Sequence, residues 1–152
     1  MDLTGEERIA APRQAVWDAL NDIETLKSCI PGCEDIERIS ETEIRAALKV
    51  SFGILKVRFH GILELSNMKP PVSYTISGHG EGSIAGFAHG ATDVRLDEDG
   101  DDTILSYAIR GDAGGTVAQI GTKLLGSVAR KIADRFFANI AEAASNAAAK
   151  TT

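Results

Sequence analysis

Both cysteines of this 152-residue chain fall in one short stretch, "SCIPGCE" (Ser28 to Glu34), where Cys29 and Cys33 flank Pro31 and Gly32. Several kinds of chemistry use cysteines this close together. A thioredoxin-like dithiol takes C-x-x-C, one residue tighter than the C-x-x-x-C found here. Structural zinc takes four ligands, so two further groups would have to join. The histidines, His60, His79 and His89, all fall opposite the apolar stripe of their strands by parity, which puts them on the solvent side. A reversible Cys29–Cys33 disulfide stays open, because Pro31-Gly32 bends the chain. The simplest reading is a structural turn: Pro31 stops a preceding helix and Gly32 supplies a permissive backbone.

The other chemistry-bearing residues are weaker signals. The acidic run "LDEDGDD" (Leu96 to Asp102) lacks the later Glu and the ligand spacing of an EF-hand, and reads as a solvated hairpin turn. The glycine-rich "GHGEGSIAGFAHG" is followed by neither a helix N-terminus nor a Lys-Ser/Thr pair, so it is not a phosphate loop. No G-x-S-x-G occurs. Glu7 shares parity with Leu3 and Ile9 and reads either as a buried carboxylate turned on a ligand or as a residue at a strand edge. Catalysis would ask for a second convergent titratable group, and parity supplies none. The expectation is a non-enzyme with no catalytic residues, no metal and no cofactor.

The elements that would position these residues are legible in the patterning. The composition, 43% hydrophobic and 25% charged, is that of a single globular domain, and a net charge of -6 argues against nucleic acid as a partner. The start, "MDLTGEERIA", lacks the pattern of a secretory signal, and two cysteines do not make a disulfide scaffold, so a cytoplasmic location is expected. A short strand, "LTGEERIA", is followed by Pro12, which suits a first helical turn, with Val16, Trp17 and Leu20 at helix spacing. A second short helix, "IETLKS", runs into the cysteine turn.

Long period-two alternation follows. Ile44, Ala46, Leu48, Val50 and Phe52 share one face; so do Leu55, Val57, Phe59, Leu63 and Leu65; then Val72, Tyr74 and Ile76; Ile84, Ala88, Thr92, Val94 and Leu96; and Leu105, Tyr107 and Ile109. That is an antiparallel sheet with one dry face. From Val117 to Ile140 the period changes, with Val117, Ile120, Leu124, Val128, Ile132, Phe136 and Ile140 forming the stripe of one long helix. Lys123, Arg130, Lys131 and Arg135 on that helix read as a solvated face or as a docking patch for an anionic surface or acidic partner. The sheet must bury its dry face, and the last helix is the element long enough to cover it. Gly86, Ala88 and Gly90 on the sheet, and Gly121 and Ala129 on the helix, are small where a core wants bulk. They mean either close helix–sheet packing or a ligand cavity.

These pieces together resemble the START-like, birch-pollen-allergen superfamily called SRPBCC, a helix-grip fold with an apolar cavity. Within it the chain is similar to the carbon monoxide dehydrogenase G-subunit family. The resemblance rests on "LTGEERIAAPRQAVWDALND" (Leu3 to Asp22), "CIPGCEDIE" (Cys29 to Glu37), "VSFGILKVRFHGILEL" (Val50 to Leu65), "SGHGEG" (Ser77 to Gly82) and "GGTVAQIGTKLL" (Gly114 to Leu125). It implies an α+β fold in which a curved antiparallel sheet of about seven strands wraps a long C-terminal helix, with two short helices after the first strand. The expected domain is residues 1–146, with 147–152 a frayed tail.

The resemblance also implies an apolar ligand, a lipid or a quinone, and service to a molybdenum hydroxylase of carbon monoxide dehydrogenase type in maturation, membrane recruitment or electron delivery. It places the cysteine turn near the cavity rim. Some members carry a C-terminal membrane-attaching extension; this chain ends at "AAAKTT", so the expectation is a carrier that visits the inner face of the membrane at most transiently. The expected lining is Leu48, Val50, Phe59, Tyr74, Ile84, Ala88, Tyr107, Ile120, Leu124 and Val128, with a hydroxyl of Tyr74 or Tyr107 orienting a polar head group. Two rivals are a docking module with a filled core and, further off, a cyclase or hydrolase.

Overall fold

A computed structural model describes residues 2–52, 54–82, 86–114 and 122–150. Strand β1 (Asp2–Ile9) leads into helices α1 (Arg13–Asn21) and α2 (Ile23–Cys29). Then come β2 (Cys33–Arg38), β3 (Glu43–Phe52), β4 (Leu55–Lys69), β5 (Ser73–Gly82), β6 (Gly86–Asp99) and β7 (Asp102–Gly114), and last α3 (Thr122–Lys150). The strands form one antiparallel sheet in the order β1-β7-β6-β5-β4-β3-β2. The first two strands of the chain are therefore its two edges, and α1 and α2 connect them.

Local chemistry sets the two short helices. Pro12 sits in extended conformation just before α1, where its missing N–H costs nothing, and Val16, Trp17, Ala19 and Leu20 form the buried face. Asp22 caps α2: its carboxylate accepts from the Thr25 hydroxyl at 2.7 Å and from the Thr25 N–H at 3.0 Å, a cap worth about 1 kcal/mol. Those bonds hold the Asp22 carboxyl below its ordinary range. The acidic β6–β7 turn is tied down by cations. Arg8 pairs with Asp99 and Asp102, Arg13 pairs with Glu98, and Gly100 takes the positive φ of 64° that the bend requires. The buried Thr103 hydroxyl donates to the Ala11 carbonyl at 2.8 Å, fixing the entry to α1 against β7.

The main core lies at the end of the sheet under α1 and the second half of α3. Tyr74, Val94, Leu96, Leu105 and Tyr107 face Trp17, Leu20, Phe137, Ile140 and Ala144. Tyr107 stacks on Phe137 with ring centroids 4.2 Å apart, and Trp17 meets Tyr74 edge-on at 5.1 Å.

The stripe on α3 differs from the fourfold spacing expected of it. The buried residues are Ala133, Phe137, Ile140 and Ala144, with Leu125 and Phe136 partly buried, whereas Leu124 is 39% exposed. A helix of 3.6 residues per turn drifts about 40° for each spacing of four, so four such steps back from Ile140 turn Leu124 to solvent. Val117 and Ile120 lie outside the described residues. At its other end α3 continues to Lys150, beyond the boundary expected at residue 146, because alanine is the strongest helix former and Ala148 packs on the core. Among the described residues no helix is long and apolar enough to cross a membrane.

Candidate functional site

At the opposite end of the same sheet the inward side chains nearly vanish. Strand register builds two transverse rows. One reads Leu63, Gly78, Gly90, Gly111 across β4, β5, β6 and β7. The next reads Ala46, Gly61, Gly80, Ala88, Ala113 across β3 to β7. Of these positions only Leu63 reaches beyond a methyl group. A cavity of about 460 Å³ stands over this floor, within the size range of small-molecule sites. α3 roofs it with Leu125, Val128, Ala129 and Ile132; Leu48, Val50 and Phe59 wall the strand ends, and Ile30 closes the α2 side. The wall draws on two separate apolar clusters. Ile30, Ala46 and Leu63 belong to the main core, while Val50, Ala88, Ala113 and Leu125 pack with Val57 and Phe59.

The floor glycines are there for two different reasons. A Cβ on Gly61 would collide with the His79 carbonyl and lie 2.8 Å from the Gly80 Cα, so β4 and β5 require glycine there simply to stay paired. A Cβ on Gly80 would meet only ordinary contacts, the nearest being Phe59 Cβ at 3.6 Å. Backbone packing does not explain Gly80; the space above it does.

Among the described residues, the polar side chains of the wall are turned away from this space. His79 and His89 contribute to the wall, but their side chains fall on the outward parity and are exposed, His79 lying 3.2 Å from Glu81. Asp112 is likewise exposed and accepts from the Ala113 N–H at 2.9 Å.

The cysteine turn positions Ile30. The Cys33 N–H donates to the Ile30 carbonyl at 3.2 Å, the Lys49 N–H donates to the Gly32 carbonyl at 2.8 Å, and Asn139 Nδ2 donates to the Cys29 carbonyl at 2.9 Å. Gly32 has a φ of 76°, and a Cβ there would collide with the Lys49 carbonyl, so the turn admits only glycine. Both thiols are free, and burial pushes both above the ordinary thiol value, which leaves them poor nucleophiles and poor metal ligands at neutral pH. Among the described residues no group of three His, Cys, Asp or Glu side chains is placed to hold a metal.

Of the lining expected from sequence, the structure gathers Leu48, Val50, Phe59, Ala88 and Val128 around the cavity. Ile84 and Ile120 lie outside the described residues. Tyr74, Tyr107 and Leu124 stand elsewhere. Tyr74 is 2% exposed under Trp17, where burial pushes its phenol far up and its hydroxyl has no partner among the described residues. Tyr107 is held on Phe137, its hydroxyl accepting from Arg130 at 3.2 Å and lying 3.4 Å from Asp134. Both tyrosines share the inward parity, but their rows fall under aromatic groups of α1 and α3, not over the cavity. Leu124 points out because of the helix phase. Glu7 pairs in register with Leu105, in the packed half. Sequence reasoning singled out Gly90 of the floor but missed Ile30, Leu125 and the floor glycines Gly61, Gly78, Gly80 and Gly111. Gly61, Gly78 and Gly80 are visible as glycines in strands, but their alignment depends on register.

A long helix held against one face of a seven-stranded antiparallel sheet, with an apolar cavity between them, defines a helix-grip protein of the START-like class. The carbon monoxide dehydrogenase G-subunit family (CoxG) matches residues 5–145, and the chain belongs to that family. A conserved protein from Geobacillus kaustophilus is 30% identical, with 96% of each chain covered and a TM-score of 0.89. A START superfamily protein from Mycobacterium smegmatis shares the fold at 13% identity, with 99% of each chain covered and a TM-score of 0.62. The Zhui aromatase/cyclase from Streptomyces sp. R1128 shares it at 19% identity, 94% and 93% coverage and a TM-score of 0.64. No match was found among curated proteins.

Proposed function

We propose that this protein is a non-enzymatic carrier that holds an apolar molecule, a lipid or a quinone, over the glycine floor. The observation that carries the reading is the floor itself. A sheet that fills its inward positions with bulk at one end and strips them at the other keeps an open volume lined mainly by carbon. Membership of the CoxG family supports service to a molybdenum hydroxylase of carbon monoxide dehydrogenase type. The fold is shared with an aromatase/cyclase, yet the described wall turns no titratable side chain inward, which favours binding over catalysis.

The test is organic extraction and native mass spectrometry of the purified protein. A co-purifying apolar molecule at near-stoichiometric level is the expected result. A second reading, a docking module, draws on the exposed apolar residues Ile54 and Leu124. Protein that comes off the column empty, and that takes up no neutral apolar dye, would leave the docking module standing.

A further inference from the structure

Resting on that reading, we infer that the cavity selects its ligand by charge: the buried part of the ligand is uncharged, and a carboxylic acid enters only in its protonated form. Each element around the space has its ionisable groups facing elsewhere. On β3 and β4 they are Glu43, Arg45, Lys49, Lys56, Arg58, His60, Glu64 and Lys69, all exposed save the half-buried Glu43 on the outward parity, with Arg45 paired to Glu37 and Arg58 to Glu34. On β5, β6 and β7, His79, Glu81, His89, Arg110 and Asp112 take the outward parity. On α3, Lys123 and Lys131 are exposed, and Arg130 is engaged with the Thr4 carbonyl and Tyr107. The α2 turn brings the two thiols, which burial pushes above their ordinary value, and Lys27, Glu34 and Asp35, all exposed. Residues 53, 83–85 and 115–121 contain no ionisable side chain in the sequence.

Among the described residues the inward hydroxyl nearest in register is Thr92, one row beyond the floor between Ile76 and Ile109, and it supplies no counter-charge to an anion. A carboxylate seated here would lose its hydration and gain no counter-charge, so its proton is retained and its apparent pKa rises by several units. A neutral alcohol of the same chain length suffers no such penalty.

The experiment uses the full chain, loaded with the uncharged fluorophore N-phenyl-1-naphthylamine and displaced by decan-1-ol or decanoic acid below their micellar range. The alcohol should displace the dye with the same affinity from about pH 5 to about pH 8. The acid should match it near the acid end and weaken about tenfold per pH unit above its own pKa of roughly 4–5, reaching at least a hundredfold deficit near pH 8. An Ala88→Lys variant, which brings an ammonium to the floor, should narrow that deficit.

A second pair, dodecan-1-ol and dodecanoic acid, guards against a chain-length artefact and should repeat the pattern. Equal displacement by acid and alcohol at about pH 8, flat with pH, would overturn charge selection while leaving the carrier intact. Failure of the dye and of both alcohols to bind wild-type protein would overturn the carrier reading, and this inference with it.

Discussion

The two ends of the grip are built from the same seven strands and the same helix, yet they are opposites inside. At one end Tyr74, Val94 and Tyr107 stand side by side in register and meet Trp17 and Phe137. At the other, Gly61, Gly80, Ala88 and Ala113 stand side by side and meet Ala129 and Val128 across open space. The difference teaches how such a protein can carry a cavity and stay folded. Stability is concentrated in one half, where side chains interlock, and the other half is relieved of that duty. Ala46, Ile30 and Leu63 belong to both, joining the packed core to the cavity wall.

The largest expected effect lies on the packed side. Phe137 is 3% exposed, stacked on Tyr107 and edge-on to Phe136 at 5.0 Å. Phe137→Ala should lower stability by about 3–5 kcal/mol by removing buried area and leaving a void. On the solvent-facing side of the same helix, Leu124→Ala should change stability by no more than about 0.5 kcal/mol. Denaturant titration of both variants checks the contrast. Comparable losses at the two positions would mean that Leu124 is packed and that the helix phase does not turn it to solvent.

The next two variants separate the two kinds of floor glycine. Gly61→Ala forces β4 and β5 apart and should cost about 1–3 kcal/mol, with ligand lost only because the sheet is disturbed. Gly80→Leu grows into the cavity from a position whose Cβ fits. It should keep the melting temperature or raise it, since a strand glycine is itself unfavourable by roughly 0.5–1 kcal/mol, while bound apolar molecule disappears. Ala88→Phe, next to Gly80 in register, should do the same. Thermal melts paired with extraction read both quantities. A Gly80→Leu protein that is destabilised as much as Gly61→Ala would show a floor already filled.

Much of this division is legible in the sequence, and part is not. Period-two alternation puts Leu48, Val50, Phe59 and Ala88 on the dry face, where the structure has them, because a pleated strand leaves no other choice. It also puts Tyr74 and Tyr107 there, and parity cannot say which end of the dry face is packed and which is open. That distinction is set by register, which brings Gly78, Gly90 and Gly111 from three strands into one row although their spacings to local landmarks differ. A spacing of four carried over too many turns misplaces Leu124. Ile30 escapes sequence reasoning because its place on the wall depends on the tertiary bonds of the turn, from Lys49 and Asn139.

The smallest effect belongs to the convex side of the packed half and tests whether the two ends are independent. The Asp93 carboxylate accepts from Arg110 at 2.6 Å and from the Thr75 hydroxyl at 2.8 Å, and Thr75 in turn accepts from Asn67. The Arg110 guanidinium first, and the Thr75 bond second, hold the Asp93 carboxyl below its ordinary value. A carboxyl whose folded pKa is depressed adds stability that is complete above the unfolded value near 4 and is lost as pH falls through the folded value. Asp93→Asn should therefore melt slightly below wild type at about pH 7 and converge with it below about pH 3. The Asp93 side chain is half exposed, so the neutral-pH difference should be small and should shrink in high salt. Ligand content should not move at all, because Asp93 faces away from the floor. A melting difference that persists at the acid end would mean that the residue acts through packing rather than charge, and a change in bound ligand would mean that the two halves are coupled through the sheet.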